Sequence, residues 1–176
     1  MRVSSSLILA AAFAAAAAAV PARAADDVSL ADLKAATRSL GFLQYHSGGF
    51  VIGIVYAPNG KNLSQQTAER IRTLPGPNNS GFKAETVAVG ELAGSSEHLD
   101  ALYLVPGTTG NASAIADIAR RRHLLVMSND PACLDQHCCM LMVRDNGRVE
   151  IVLDSELAQA AGVSFSSVFA MMVKHK

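Results

Sequence analysis

Residues 101–130 read "ALYLVPGTTGNASAIADIARRRHLLVMSND", and this stretch decides the fold. "ALYLV" is a short apolar run ended by Pro106-Gly107, the pattern of a strand buried on both faces. The turn from Gly107 to Gly110 leads into "NASAIADIARRR". Here Asn111 or Ser113 stands near the helix cap and the arginines fall in the last turn, where they suit the helix dipole. "HLLVMSND" follows as another apolar strand. A strand, a helix and a strand in this order predict parallel pairing through a right-handed crossover.

Upstream the alternation continues. "SLADLKAATRSLGFL" has Leu30, Leu33, Ala36 and Leu40 at helical spacing with Ser29 as N-cap. "GGFVIGIVYAP" is a β-branched apolar run between Gly and Pro, a buried strand. "NLSQQTAERIRTL" repeats apolar positions at Leu63, Ala68, Ile71 and Leu74 before Pro75-Gly76-Pro77, a helix with a firm stop, and "FKAETVAV" is a further strand. Downstream the character changes. "CCMLMVRDNGRVEIVLD" sets two apolar runs around Asp145-Asn146-Gly147, a strong hairpin signal. "SELAQAAGV" and "SFSSVFAMMVKHK" read as closing helices separated by Gly162, with Ser164, Ser166 and Ser167 as caps and first-turn residues. The fold class expected is α/β: a mainly parallel, Rossmann-like sheet flanked by helices, with an appended antiparallel β-hairpin and C-terminal helices.

The chain opens with Arg2, an apolar, alanine-rich run from Leu7 to Val20, and Ala22-Arg23-Ala24. This is the pattern of a secretory signal peptide over residues 1–24, cleaved after Ala24. The run is short of the roughly 20 residues that span a bilayer, and no cysteine stands at the cleavage point for lipidation. Residues 25–176 then form one exported domain, of a length that suits a single core. Basic and acidic residues number 15 each, and loss of Arg2 and Arg23 leaves acids in slight excess. Nucleic acid, which needs a basic face, is excluded as a partner. With no Trp, three Tyr and six Phe, stacking platforms for sugars or single strands are excluded too.

The last segment, "GRVEIVLDSELAQAAGVSFSSVFAMMVKHK", together with "ARRRHLLVMSNDPAC" and "CCM", resembles the C-terminal signature of the YfiR-type (YfiR/HmsC-like) periplasmic proteins, in a short variant. The resemblance covers roughly residues 101–173. It implies a periplasmic protein that regulates an inner-membrane diguanylate cyclase, and so cyclic-di-GMP output; the mechanism expected is binding and repression of that signalling protein in a redox-sensitive way.

All three cysteines lie in "DPACLDQHCCM". In an oxidising compartment two such thiols pair, closing a loop of about five or six residues. The C-x5-C-M spacing of the resembling family implies the pair Cys133–Cys139. Cys138 is then left over, as a buried filler or as a thiol for a second subunit in a homodimer. Metal binding by Cys133, His137, Cys138 and Cys139, with Met140 and Met142 alongside, is the sharper alternative. It lacks a C-x2-C pair, and adjacent strand cysteines face opposite ways, so no metal is expected.

Other chemistry is sparse. "PGTTGNAS" lacks the Lys-Ser/Thr of a phosphate loop, "GVSFS" follows a helix rather than the strand a nucleophile elbow needs, and His46, His98, His123 and His175 stand singly. No catalytic constellation and no cofactor are expected. Two binding readings remain. An apolar stripe on the last helix, Phe165, Phe169 and Met172, would meet a protein partner, as methionine-rich surfaces do. The crevice at the strand carboxyl ends, at Asn59, Gly60, Thr108 and Thr109, would hold a small molecule.

Overall fold

The computed structural model describes residues 27–44, 49–77 and 80–176 of the chain. The expected leader, residues 1–24, and His46 lie outside the described residues. Helix α1 (Leu30–Ser39) leads into β1 (Phe50–Tyr56), α2 (Lys61–Arg72) and β2 (Phe82–Ala88). The single-turn α3 (Leu92–Ser95), β3 (Ala101–Leu104), α4 (Ala112–Arg122) and β4 (Leu125–Ser128) follow. Then come α5 (Pro131–Asp135), β5 (Leu141–Asp145), β6 (Val149–Leu153), α6 (Ser155–Ala160), α7 (Ser167–Met172) and β7 (Lys174–His175).

Seven strands make one sheet in the order β2-β1-β3-β4-β5-β6-β7. β1 pairs in parallel with both β2 and β3, in registers such as Ile54↔Thr86 and Ile54↔Tyr103. β3–β4 and β4–β5 are also parallel, and β5–β6 is the antiparallel hairpin. The expected fold is the fold found. The inner strands are continuous apolar runs because helices cover both faces. Ile52, Ile54, Leu102, Leu104, Leu125 and Met127 are each 1% exposed or less. The chain leaves β1 toward β2 and returns past it to β3, so the order reverses between β1 and β3, which places a crevice at their carboxyl ends.

α1 is tied to this sheet by one carboxylate. Ser29 caps the helix by accepting from Asp32 N–H at 3.0 Å, and Asp32 Oδ2 accepts from Ser29 N–H at 3.1 Å, a reciprocal capping box. Asp32, only 2% exposed, also accepts from Asn129 Nδ2 at 3.3 Å and from Asp145 N–H at 2.7 Å. It therefore joins the start of α1 to the ends of β4 and β5. Tyr103, buried on β3, has its hydroxyl pKa pushed up by burial first and by Asp32 next.

Two features depart from the sequence reading. "DPACLD" is not a loop: Asp130 accepts from Ala132 N–H at 2.9 Å and Pro131 occupies the first helical position, which together start α5. The final segment is not helical to its end. α7 stops at Met172, and Val173 takes an extended conformation that lets β7 pair with β6 at Val152↔Lys174 and Leu153↔His175. Ladder hydrogen bonds outweigh weak helix propensity there. No described helix is long and apolar enough to cross a membrane.

Asp32→Ala should destabilise the protein by about 2 kcal/mol, the cost of the lost reciprocal cap plus the acceptor lost to the half-buried Asp145 N–H, while Asn129 Nδ2 keeps its bond to Asp27 O. Asp32→Asn should cost roughly half of that, because one acceptor oxygen remains. Urea unfolding followed by circular dichroism measures both; an unchanged midpoint for Asp32→Ala would contradict the role of this carboxylate.

Candidate functional site: the disulfide loop, the last helix and the switch-point cleft

α5 is one turn long, and the way it ends decides the cysteine chemistry. His137 takes a left-handed conformation, φ 53°. Its N–H donates to Leu134 O at 3.1 Å, and Cys138 N–H donates to Cys133 O at 2.9 Å. These are the two bonds of a Schellman motif, which normally brings the side chain just past the turn against one in the last turn. Here that contact is covalent: the disulfide joins Cys133 to Cys138, with their Cα atoms 5.1 Å apart. The pairing with Cys139 implied by the family spacing is therefore corrected. The left-handed turn folds Cys138 back over Cys133, while Cys139 continues into the core, where it is 0% exposed and unpaired. Burial, first of all, and then the Asp130 and Asp154 carboxylates push the Cys139 thiol pKa up. A buried thiol held protonated is a poor nucleophile, and Cys138, being bonded, offers nothing to a second subunit.

The loop is held from outside by Asp154. His137 Nδ1 lies 2.9 Å from Asp154 Oδ2. The His137 side chain is 61% exposed while that of Asp154 is 4% exposed. The other oxygen caps α6 through Leu157 N–H at 2.9 Å, and Asp154 N–H donates to Met140 O at 2.8 Å. Lys176 Nζ sits 4.0 Å from Asp154 Oδ2 and donates to Leu134 O inside the loop. His137 thus faces a carboxylate. Among the described residues no group of three or more His, Cys, Asp or Glu is placed to hold a metal ion.

The last helix buries part of the stripe expected to be exposed. Phe169 is 2% exposed, stacked between Phe42 and Phe165 at ring-centroid distances of 5.1 and 4.8 Å. Phe165 bridges to Leu43, and Ser166 N–H donates to Phe42 O at 2.8 Å. Phe165 and Phe169 therefore anchor α7 to the core. Of the three residues expected at the surface, Met172 alone is exposed, at 63%, and its companions in water are Val168 at 55% and Met171 at 79%. The helix is only six residues long, so a stripe drawn back to Phe165 leaves it.

At the switch point, a cleft of about 470 Å³ is lined by Pro58, Asn59, Gly60, Leu63, Pro106 and Gly107, among others. Gly60 keeps it tight: a Cβ there would meet Tyr56 Cβ at 3.3 Å and Val105 Cγ2 at 3.4 Å. Asn59 and Gly60 line this cleft. Thr108 does not, being 2% exposed with its hydroxyl donating to Val105 O at 3.1 Å, and Thr109 is not part of the wall either.

The model of the YfiR/HmsC-like family matches residues 46–172. The chain belongs to the YfiR/HmsC-like family. Membership supports a periplasmic regulatory role in general. Comparison with curated proteins gives no match. Among solved structures, the chain is similar to the ABC domain in complex with L-Trp from Streptococcus pneumonia, at 12% identity and a TM-score of 0.53, covering 72% of this chain and 56% of that one. It is also similar to a conserved domain protein from Vibrio cholerae O1 biovar eltor, at 15% identity and a TM-score of 0.51, covering 72% and 54%. The chain spans little more than half the length of these structures, and the likeness is one of fold.

In the native, unreduced YfiR/HmsC-like protein, iodoacetamide should label no cysteine; after denaturation without reductant it should label Cys139 alone. Tandem mass spectrometry reads the position, and label on Cys138 would overturn the pairing. The Cys133→Ser/Cys138→Ser variant should lose about 2 kcal/mol, the entropy of so short a loop.

Proposed function

We propose that the protein is an exported periplasmic regulator, released from a leader at residues 1–24, that binds and represses the periplasmic part of an inner-membrane signalling protein, a diguanylate cyclase. It acts by occupancy and needs no cofactor. The observation that carries this reading is the outer face of α7: Val168, Met171 and Met172 stay in water at 55, 79 and 63% exposure in a member of a regulatory family. Adjacent exposed methionines form a soft surface that a partner covers at a gain of roughly 25 cal/mol per Å². The repression is redox-sensitive in this account. α7 runs into β7, and the residue after β7, Lys176, donates to Leu134 O within the disulfide loop, so loosening the loop loosens the docking face.

A second reading draws on the switch-point cleft. A volume of about 470 Å³ is of the size that holds a small metabolite, and a solved structure of similar fold carries L-Trp. Such a ligand would act alongside the docking role or replace it.

Crosslinking of the tagged protein in its own periplasm, with and without reductant, separates the two. The regulator reading predicts capture of an inner-membrane signalling protein that falls on reduction. Capture of soluble proteins only, together with a melting temperature that rises with the concentration of one metabolite from a panel including L-Trp, would replace it with the ligand reading.

A further inference from the structure

The sheet ends on an incomplete edge. β7 pairs with β6 only at Val152 and Leu153, although β6 begins at Val149. Among the described residues no strand lies outside positions 149 and 150. Two bonds at the ends of the hairpin fix how the backbone points there. Asp154 N–H donates across the ladder to Met140 O, and Asp145 N–H points away from β6, to Asp32 Oδ1 at 2.7 Å. In an antiparallel pair the alternation between these points bonds Glu150 and Val152 to β5 and turns Val149 and Ile151 outward; the parallel bridge Val152↔Lys174 takes up Ile151 O, which leaves the N–H and C=O of Val149 and the N–H of Ile151 on the open edge. Outward backbone groups on an edge are a template for another strand.

The surroundings specify what strand. A groove of about 430 Å³ runs along this edge, walled by Val149, Ile151 and Met172 with Arg148, Glu150 and Lys174 at its margins. Val149 is 47% exposed, and Met172 joins the groove to the exposed face of α7. Lys174 pairs with Glu150 at 2.6 Å and, chiefly through that hydrogen bond, holds the Glu150 carboxyl below its usual range, with Arg144 adding to the effect. Arg144, Arg148 and Lys174 thus stand against one groove carboxylate, while Asp145 turns its own into the hairpin, accepting from Gly147 N–H at 2.9 Å.

We propose that this edge is a docking site that takes an extended, acidic segment of a partner protein by strand addition, seating apolar side chains on Val149, Ile151 and Met172 and carboxylates against Arg148 and Lys174. The inference rests on the reading of the protein as a partner-binding regulator and names the surface and the chemistry of the partner. Strand addition draws affinity from main-chain hydrogen bonds and specificity from alternate side chains. An anionic bilayer would match the charges but leave the outward backbone groups unsatisfied.

The test uses the oxidised protein and a fluorescein-labelled heptapeptide alternating glutamate with valine and isoleucine, read by anisotropy, beside its lysine counterpart. The acidic peptide should bind at least tenfold more tightly than the basic one. Val149→Pro, which removes an outward N–H at a strand position where proline is tolerated, should weaken binding at least fivefold at unchanged melting temperature. Arg148→Glu/Lys174→Glu should reverse the preference. Equal binding of the two peptides, no binding, or full binding by folded Val149→Pro would overturn the proposal. If crosslinking captures a membrane signalling protein while the peptide does not bind, the edge fails and the regulator reading stands. The reverse outcome keeps the edge and removes the regulator reading.

Discussion

Asp154 is the joint on which the C-terminal half of the molecule depends. Its carboxylate, almost fully buried, meets His137 on the disulfide loop and caps α6, while its backbone N–H closes the hairpin against Met140. A buried carboxylate is costly unless its acceptor sites are filled. Here a loop and a helix start supply the donors and Lys176 a positive charge 4.0 Å away, so each element is held where the carboxylate needs it. Asp32 does the equivalent at the other end of the hairpin, joining α1 to β4 and β5. Between the two carboxylates the β5–β6 hairpin is fixed at both ends, which is why its outer edge has a defined direction.

The functional reading follows from what this arrangement leaves uncovered. The parallel strands are sealed on both faces by helices. The sheet's final edge is covered for only two residues, and α7 presents valine and methionine to water beside it. The disulfide loop, Asp154, Lys176 and β7 form one continuous chain of contacts leading from Cys133–Cys138 to that surface. In the proposed account, a covalent bond in the loop acts through these contacts on the exposed face of α7, which it does not touch.

The parallel sheet was legible because its signals are local and repeated: apolar β-branched runs for β1 and β3, stop signals after α2, and Asp145-Asn146-Gly147 for the hairpin. Ser29 was legible as a cap by the same logic. The cysteine pairing was not, because it turns on a left-handed backbone at His137, where a side chain gives no compositional warning of the kind glycine would. Asp130-Pro131 did carry a helix-start signal, and a helix there would have placed Cys138 rather than Cys139 over Cys133. Phe169 was misplaced because a six-residue helix has too few turns for its periodicity to separate inside from outside. β7 escaped notice since a two-residue strand exists only through its partner. Thr108 was placed at the switch-point cleft by its neighbourhood in the chain, but its hydroxyl is spent on Val105 O.

Hydrogen–deuterium exchange of the oxidised and the reduced protein, resolved to peptides, tests most directly whether the loop and the docking surface are coupled. Coupling through Asp154 and Lys176 predicts that reduction speeds exchange in α7 and β7 as well as in α5, with β1, β3 and β4 unchanged. Faster exchange confined to α5, with α7 and β7 as protected as before, would contradict it.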